Sequence, residues 1–331
     1  MHKILLFLSV GFLLSFCGRN KDHDNVQKED GRISVIIDTD ANNELDDQHA
    51  LAYLFLNRDI FDVVGVTVNA TRGGGPVEEH YKEAERIMKF CKVSDDFPLK
   101  MGANGNFEEI AQNIEAESYD GKDAVQFIIE ESRKPRNGKL VLLPVGKLTN
   151  IALALKKAPD IADKVRIVWL GSNYPDPGEY NLENDIPSME YVLQQNVQFE
   201  MVTVRFGKPS GSDAVRVTPE DIQEKLAGKG PRIETAVTGR HGGSFHTFGN
   251  YSVELFSHIN LHGDPPSRAL YDMVAVAILK NPGWGESFEL SVPVYSDSGW
   301  VDQPSNSRKI VVWENFKSQE ILEDFFSTLG K

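Results

Sequence analysis

The sequence predicts an α/β fold, an open and mostly parallel sheet with helices packed on both faces. Short apolar runs alternate with stretches of helical period over the first two-thirds of the chain, which is how consecutive strand and helix units read. No linker rich in Pro, Gly or Ser interrupts residues 32–331 and no internal repeat is visible, so these residues are expected to form a single domain. At 331 residues, 40% hydrophobic and 25% charged, the chain is long and apolar enough to bury such a core.

The N-terminus reads as an address rather than as part of that sheet. Lys3 precedes the apolar run Ile4 to Leu14, which is too short to span a bilayer and has the length of a signal-peptide core. Leu14-Ser15-Phe16-Cys17-Gly18 resembles the lipobox of bacterial lipoproteins, in which the cysteine is lipidated and becomes the new N-terminus, with Phe16 larger than the small residue usual before it. Residues 1–16 are therefore expected to be a lipoprotein-type signal peptide. Residues 17–31, polar and without apolar period, are expected to be a flexible tether. The expected location is exported, periplasmic or at the outer membrane, held by lipid on Cys17.

The elements of the domain follow in order. Ile33 to Ile37 is a strand, Leu45 to Asn57 a helix, and Asp62 to Val68, rich in valine, a second strand. Val77 to Phe90 and Ala124 to Ser132 carry the helical period. Leu140 to Val145 is a continuous apolar run and reads as a buried strand. Asn150 to Lys157 is a helix ended before Pro159. Lys164 to Leu170 is the next strand, Ser188 to Asn196 a helix, and Phe199 to Val204 a further strand. Residues 219–280 read as mostly helical, interrupted by a Gly-rich, mobile loop from Gly239 to Gly249. From Phe288, strands separated by turns lead to a closing amphipathic helix, Lys317 to Leu329.

Charge and cysteine count exclude several classes. Lys plus Arg total 35 against 49 Asp plus Glu, a formal charge of -14, and no local basic patch is visible, which argues against nucleic acid as a partner. Cys17 and Cys91 cannot make a disulfide framework or a four-thiolate zinc site. Cys91 lies in an apolar helical stretch and is expected to be packed rather than reactive.

Candidate chemistry is densest in Asp38-Thr39-Asp40-Ala41-Asn42-Asn43-Glu44-Leu45-Asp46-Asp47, directly after the first strand and at the start of a helix. In an open parallel sheet, ligands bind outside the carboxyl ends of the strands. Five carboxylates in ten residues repel one another unless a cation or a set of donors neutralises them, and all-oxygen ligands select hard ions such as calcium or magnesium. Capping of the next helix explains one or two acids, not five. Asn69, Val145-Gly146 and Gly171-Ser172-Asn173 end other strands and fall at the same sheet edge. Glu179-Tyr180-Asn181 precedes Asp185-Ile186-Pro187. Asp272, between Tyr271 and Met273 in an apolar helix, is costly to bury without a metal, a donor or an arginine.

These residues make the chain similar to the nucleoside hydrolases of the inosine-uridine preferring superfamily, and the resemblance spans most of residues 32–331. The family's Asp-x-Asp-Pro-Gly-x-Asp-Asp motif matches Asp38, Asp40, Asp46 and Asp47, with Ala41-Asn42 in place of Pro-Gly and two extra residues before the acid pair. Its Gly-x-Leu-Thr-Asn matches Gly146-Lys147-Leu148-Thr149-Asn150, and its Glu-Phe-Asn resembles Glu179-Tyr180-Asn181. Its late His-Asp pair resembles Tyr271-Asp272.

The resemblance implies a Rossmann-like sheet and calcium-dependent cleavage of an N-glycosidic bond. Asp40, Asp47 and Asp272 would bind calcium through carboxylates and Val145 through its carbonyl, with Asp40 also the general base that takes a proton from the attacking water. Asp46, Asn69, Asn173, Glu179 and Asn181 would hold the ribose. Tyr271 stands where the family has a histidine able to protonate the departing base, and a phenol, with an ordinary pKa near 10, is a poorer acid. His241 and His246 on the Gly-rich stretch are candidates for that task, and Tyr174, Trp300 and Phe245 for stacking on a base. The implied partner is a small nucleoside or ribosyl compound, with the membrane touched only through the lipid anchor and a homo-oligomer allowed. The alternative is a lipid-anchored, calcium-containing protein that captures a ribosyl ligand without turnover, for which a base at Asp40 has no use.

Overall fold

The central sheet has eight strands in the spatial order Glu286–Ser291, Lys309–Glu314, Gln198–Val202, Val165–Leu170, Leu140–Pro144, Ile33–Thr39, Phe61–Val68, Leu99–Lys100. Every neighbouring pair is parallel except the edge pair Glu286–Ser291 with Lys309–Glu314. The structure, a computed structural model, describes residues 31–330, which form one unit; the predicted signal peptide and Cys17 lie outside the described residues.

Alternation along the strands explains why both faces are covered. Val35, Ile37, Val141, Leu143, Val168 and Leu170 join one apolar core, while Ile36, Leu140, Leu142, Ile167 and Trp169 join another on the opposite face. The central strands thus bury both of their sides, as a parallel sheet between two helical layers requires, while the edge strand Glu286–Ser291 is largely exposed. Against the first face pack Asp46–Leu56, Val77–Phe90, Phe248–Phe256, Tyr271–Lys280 and Ser318–Leu329; against the second, Lys122–Arg133, Thr149–Lys157 and Ile186–Gln194. The helices Asp46–Leu56 and Tyr271–Lys280 pack on each other and are buried almost end to end, which their apolar composition dictates.

Strand order reverses beside Ile33–Thr39. The chain leaves that strand for Phe61–Val68 and Leu99–Lys100 on one side, then returns to Leu140–Pro144 on the other and continues outward. Such a switch point opens a crevice at the carboxyl ends of the two central strands. Asp38 and Pro144 are paired across it, and the Val145 N–H donates to the Asp38 carbonyl at 2.8 Å.

The predicted elements lie within a few residues of those found, and the α/β architecture is as expected. The segment 219–280 departs from its expectation. It is helical only at Pro219–Lys225, Phe248–Phe256 and Tyr271–Lys280, and the Gly-rich stretch is a β-hairpin, Val237–Gly239 with Gly242–Phe245, followed by a helix that Thr247 caps. The glycines serve the hairpin turn: Gly242 and Gly243 have φ of 98° and 74°, conformations open to glycine. Cys91 is buried, and that burial pushes its thiol up to about 12.

Candidate active site

The acidic loop enters the crevice because both flanking elements are fixed. Asp38, at the end of its strand, is fully buried and accepts from Thr67 Oγ1 (2.5 Å), Asn69 Nδ2 (2.9 Å) and Asn150 Nδ2 (2.7 Å). It is the internal post of the loop, facing donors rather than the cleft, and burial still pushes its carboxyl up to about 7. Asp40 is buried, accepts from Thr71 Oγ1, and lines a cleft of about 830 Å³. A Cβ at Gly146 would stand 2.8 Å from Asp40 Oδ1 and 3.1 Å from Asn69 Oδ1, so only glycine lets the Val145-Gly146 turn approach this carboxylate. Trp169 Nε1 donates to the Gly146 carbonyl at 3.0 Å and pins that turn from below.

Two helix starts bring the other acids in. Asp46 and Asp47 open one helix and Asp272 opens the other, so two helix N-termini with unsatisfied N–H groups face the same point. One carboxylate oxygen from each of Asp46, Asp47 and Asp272 lies within 4.8 Å of the other two, and all three residues are buried. Burial raises the carboxyl of Asp40, pushes that of Asp46 to about 7, and drives those of Asp47 and Asp272 well above the usual range; repulsion among these acids adds to the rise of Asp46, Asp47 and Asp272. Among the described residues none of the four is ion-paired to Lys or Arg; Arg268, on the same cleft wall, pairs with Glu44. Asn69 Oδ1, close behind Asp40, is buried without a partner. Three buried carboxylates gathered within 4.8 Å, with Asp40 on the same cleft and no Lys or Arg paired to any of the four among the described residues, fit a hard divalent cation held by oxygen.

The third wall comes from the loop after Val165–Leu170. Glu179 caps the short helix Tyr180–Asn184, accepting from the N–H groups of Ser172, Asn181 and Leu182, and burial pushes its carboxyl up to about 7. Asn181 Nδ2 donates to the carbonyls of Val145 (2.9 Å) and Leu170 (3.1 Å), tying two strand ends together. Asp40, Asp46, Asp47, Val145, Glu179, Asn181 and Asp272 all line the cleft. Asn69 and Asn173 do not: Asn69 gives its amide to Asp38, and Asn173 Oδ1 accepts from the Phe206 N–H at 3.3 Å.

Residues 35–322 match the family model described as inosine-uridine preferring nucleoside hydrolase. The chain belongs to that family. The pyrimidine-specific ribonucleoside hydrolase RihB of Escherichia coli (strain K12 / DH10B) is 28% identical over 218 residues, covering 64% of this chain and 63% of that protein, so the match spans less than two thirds of the relative's length. Among solved structures, a plant nucleoside hydrolase, PpNRh1, superposes with a TM-score of 0.70 at 16% identity, over 90% of this chain and 99% of that one. A purine-preferring ribonucleoside hydrolase from Gardnerella vaginalis gives 0.64 at 18% identity, over 90% and 98%. At these identities the likeness is one of fold.

The outer half of the cleft is where this family member differs from the motif. Tyr271 lines it and donates its O–H to Asp213 Oδ1 at 2.7 Å. Phe206, 48% exposed, meets the Tyr271 ring edge-on at 5.7 Å, and Tyr180, Arg216 and His262 complete this wall. None of the candidate histidines or stacking aromatics reaches it. His241 bonds Glu254 and stacks on His258, His246 bonds the Ile233 carbonyl, Phe245 packs on Tyr251, and Tyr174 and Trp300 pack on each other. Phe206 to Arg216 lie beyond the strand Gln198–Val202, so the strand-end rule that found the other loops applied to them too.

Proposed function

We propose that this chain hydrolyses the N-glycosidic bond of a nucleoside or related ribosyl compound, releasing ribose and base, with calcium as its resident ion. The observation that carries the reading is the meeting of Asp46 and Asp47 with Asp272, 225 or more residues apart in sequence, beside Asp40 at the switch point of the sheet. The carboxylates of Asp40, Asp47 and Asp272 and the carbonyl of Val145 would hold the ion. When bound, calcium supplies positive charge that eases loss of a proton from the attacking water and orients sugar hydroxyls.

The protein's own groups do the rest. Asp40, held by Thr71, takes the water proton as oxygen attacks the anomeric carbon. Asp46, Glu179 and Asn181 hold the ribose hydroxyls, and the carboxylates favour the positive charge that develops on the ring as the bond breaks. Asn69 and Asn173 support this set from behind, through Asp38 and the Phe206 loop. The relatives named above prefer pyrimidines in one case and purines in another, so base preference is not inherited with the fold. The same proposal places the protein outside the cytoplasm on a lipid at Cys17.

The test is to incubate the purified protein with calcium and a panel of purine and pyrimidine nucleosides and to assay free ribose. Ribose release supports the reading. A panel giving no ribose while the ion stays bound refutes nucleoside turnover, in favour of another ribosyl substrate or a ligand-capturing protein.

A further inference from the structure

Hydrolysis of a nucleoside leaves one proton to be assigned. As the C–N bond breaks, its electron pair stays on the base, and a purine or pyrimidine departs readily only when a proton reaches it. Tyr271 lines the cleft, but its hydrogen is committed to Asp213, which Arg216 Nη1 and the Gly207 N–H hold in turn, each at 3.0 Å. Lys208 pairs with Asp176 and Arg268 with Glu44, and guanidinium groups do not give up a proton. Tyr180 accepts from the Gly73 N–H and is turned toward Asn43 and Thr71.

Among the described residues, one imidazole stands on the cleft wall: His262. It is exposed, and its ring has no hydrogen bond, ion pair or aromatic contact among the described residues. Its backbone is nevertheless fixed. The His262 N–H and carbonyl pair with Ser267 at 2.9 Å each, and the carbonyl also accepts from Arg216 Nη2 at 3.3 Å and Ser267 Oγ at 3.2 Å. Arg216 thus anchors His262 to the same network that holds Asp213 and Tyr271, the position where the family motif has its histidine. Gly263 follows at a φ of 84°, a turn open to glycine, and it lines the cleft beside His262.

We propose that His262 is the leaving-group acid of this enzyme, donating a ring N–H to the base nitrogen as the C–N bond breaks; the inference rests on the N-ribohydrolase reading above. Imidazole is the side chain whose proton exchanges most readily near neutral pH. The balance closes: the water oxygen joins the anomeric carbon, its proton goes to Asp40, the bond pair and the His262 proton go to the base, and solvent returns the Asp40 proton to the imidazole.

The experiment compares wild type, His262→Gln and Tyr271→Phe, with calcium, on the best nucleoside of the panel and on 4-nitrophenyl β-D-ribofuranoside, whose phenolate leaves without a proton. His262→Gln should lower kcat on the nucleoside roughly 10²- to 10⁴-fold with KM little changed, and leave turnover of the nitrophenyl riboside intact. Tyr271→Phe should show no such split between the two substrates. Equal losses on both substrates with His262→Gln, or no loss on the nucleoside, overturn the assignment. A wild type that cleaves neither compound overturns the parent reading, and this one with it. Thermal melts check folding, which an exposed side chain leaves unaffected.

Discussion

Removing the divalent cation should make this protein less stable as pH rises, and restoring the cation should lessen that slope. In the ion-free chain the Asp46 carboxyl is pushed up to about 7 by burial and by repulsion from Asp40, whereas an unfolded aspartate titrates near 3.9. A group whose folded pKa is raised binds more protons folded than unfolded between those two values. Stability therefore falls as pH climbs through the window, and the whole loss is present above the folded pKa. Each pH unit is about 1.4 kcal/mol, so the stretch from pH 5 to about 7 amounts to roughly 3 kcal/mol for Asp46 alone. Asp38 and Glu179, also near 7, and Asp47 and Asp272, higher still, carry the same sign. At roughly 2–4 °C per kcal/mol for a large domain, Asp46 alone should lower Tm in excess chelator by about 6–12 °C between pH 5 and pH 8, with the other acids adding to the drop. Circular-dichroism melts across that range, in chelator and in excess calcium, read it directly. A Tm that is flat or rises with pH in chelator, or the same slope in calcium, refutes the reasoning.

Three further outcomes are expected. Asp40→Asn should keep ligand binding, measured by calorimetry, while kcat falls roughly 10²- to 10⁴-fold; normal turnover would reject the base. Asn181→Ala strips a donor from the buried Val145 and Leu170 carbonyls and should cost about 1–3 kcal/mol, read as a Tm lower by several degrees, besides weakening ribose binding. For the anchor, labelled palmitate should appear in wild type and not in Cys17→Ser; label in both would reject lipidation at that cysteine.

The sheet was legible because its strands are continuous apolar runs bounded by polar turns, so Leu140–Pro144 and Val165–Leu170 could be read with errors of a residue or so. Residues 226–247 were not, because glycine in a short hairpin looks like loop in sequence, and Leu99–Lys100 is too short to leave a pattern. In the site, Asp40, Asp46, Asp47 and Asp272 were legible as carboxylates placed where burial is costly. Asn69 shows the limit of that logic. An amide after a strand reads equally well as a ligand-holder or as a hydrogen-bond brace, and the fold gives it to Asp38. Phe206 and Arg216 follow a strand end and were open to the same rule, whereas His262 carries no motif and reaches the cleft through its pairing with Ser267 and a tertiary contact from Arg216.

Metal content tests the central claim most directly. Purified wild type dialysed mildly against metal-free buffer should retain close to one calcium per chain by elemental analysis, and Asp47→Ala, correctly folded, should retain none. A full complement in that variant, or no ion in wild type after loading with calcium, would contradict the account.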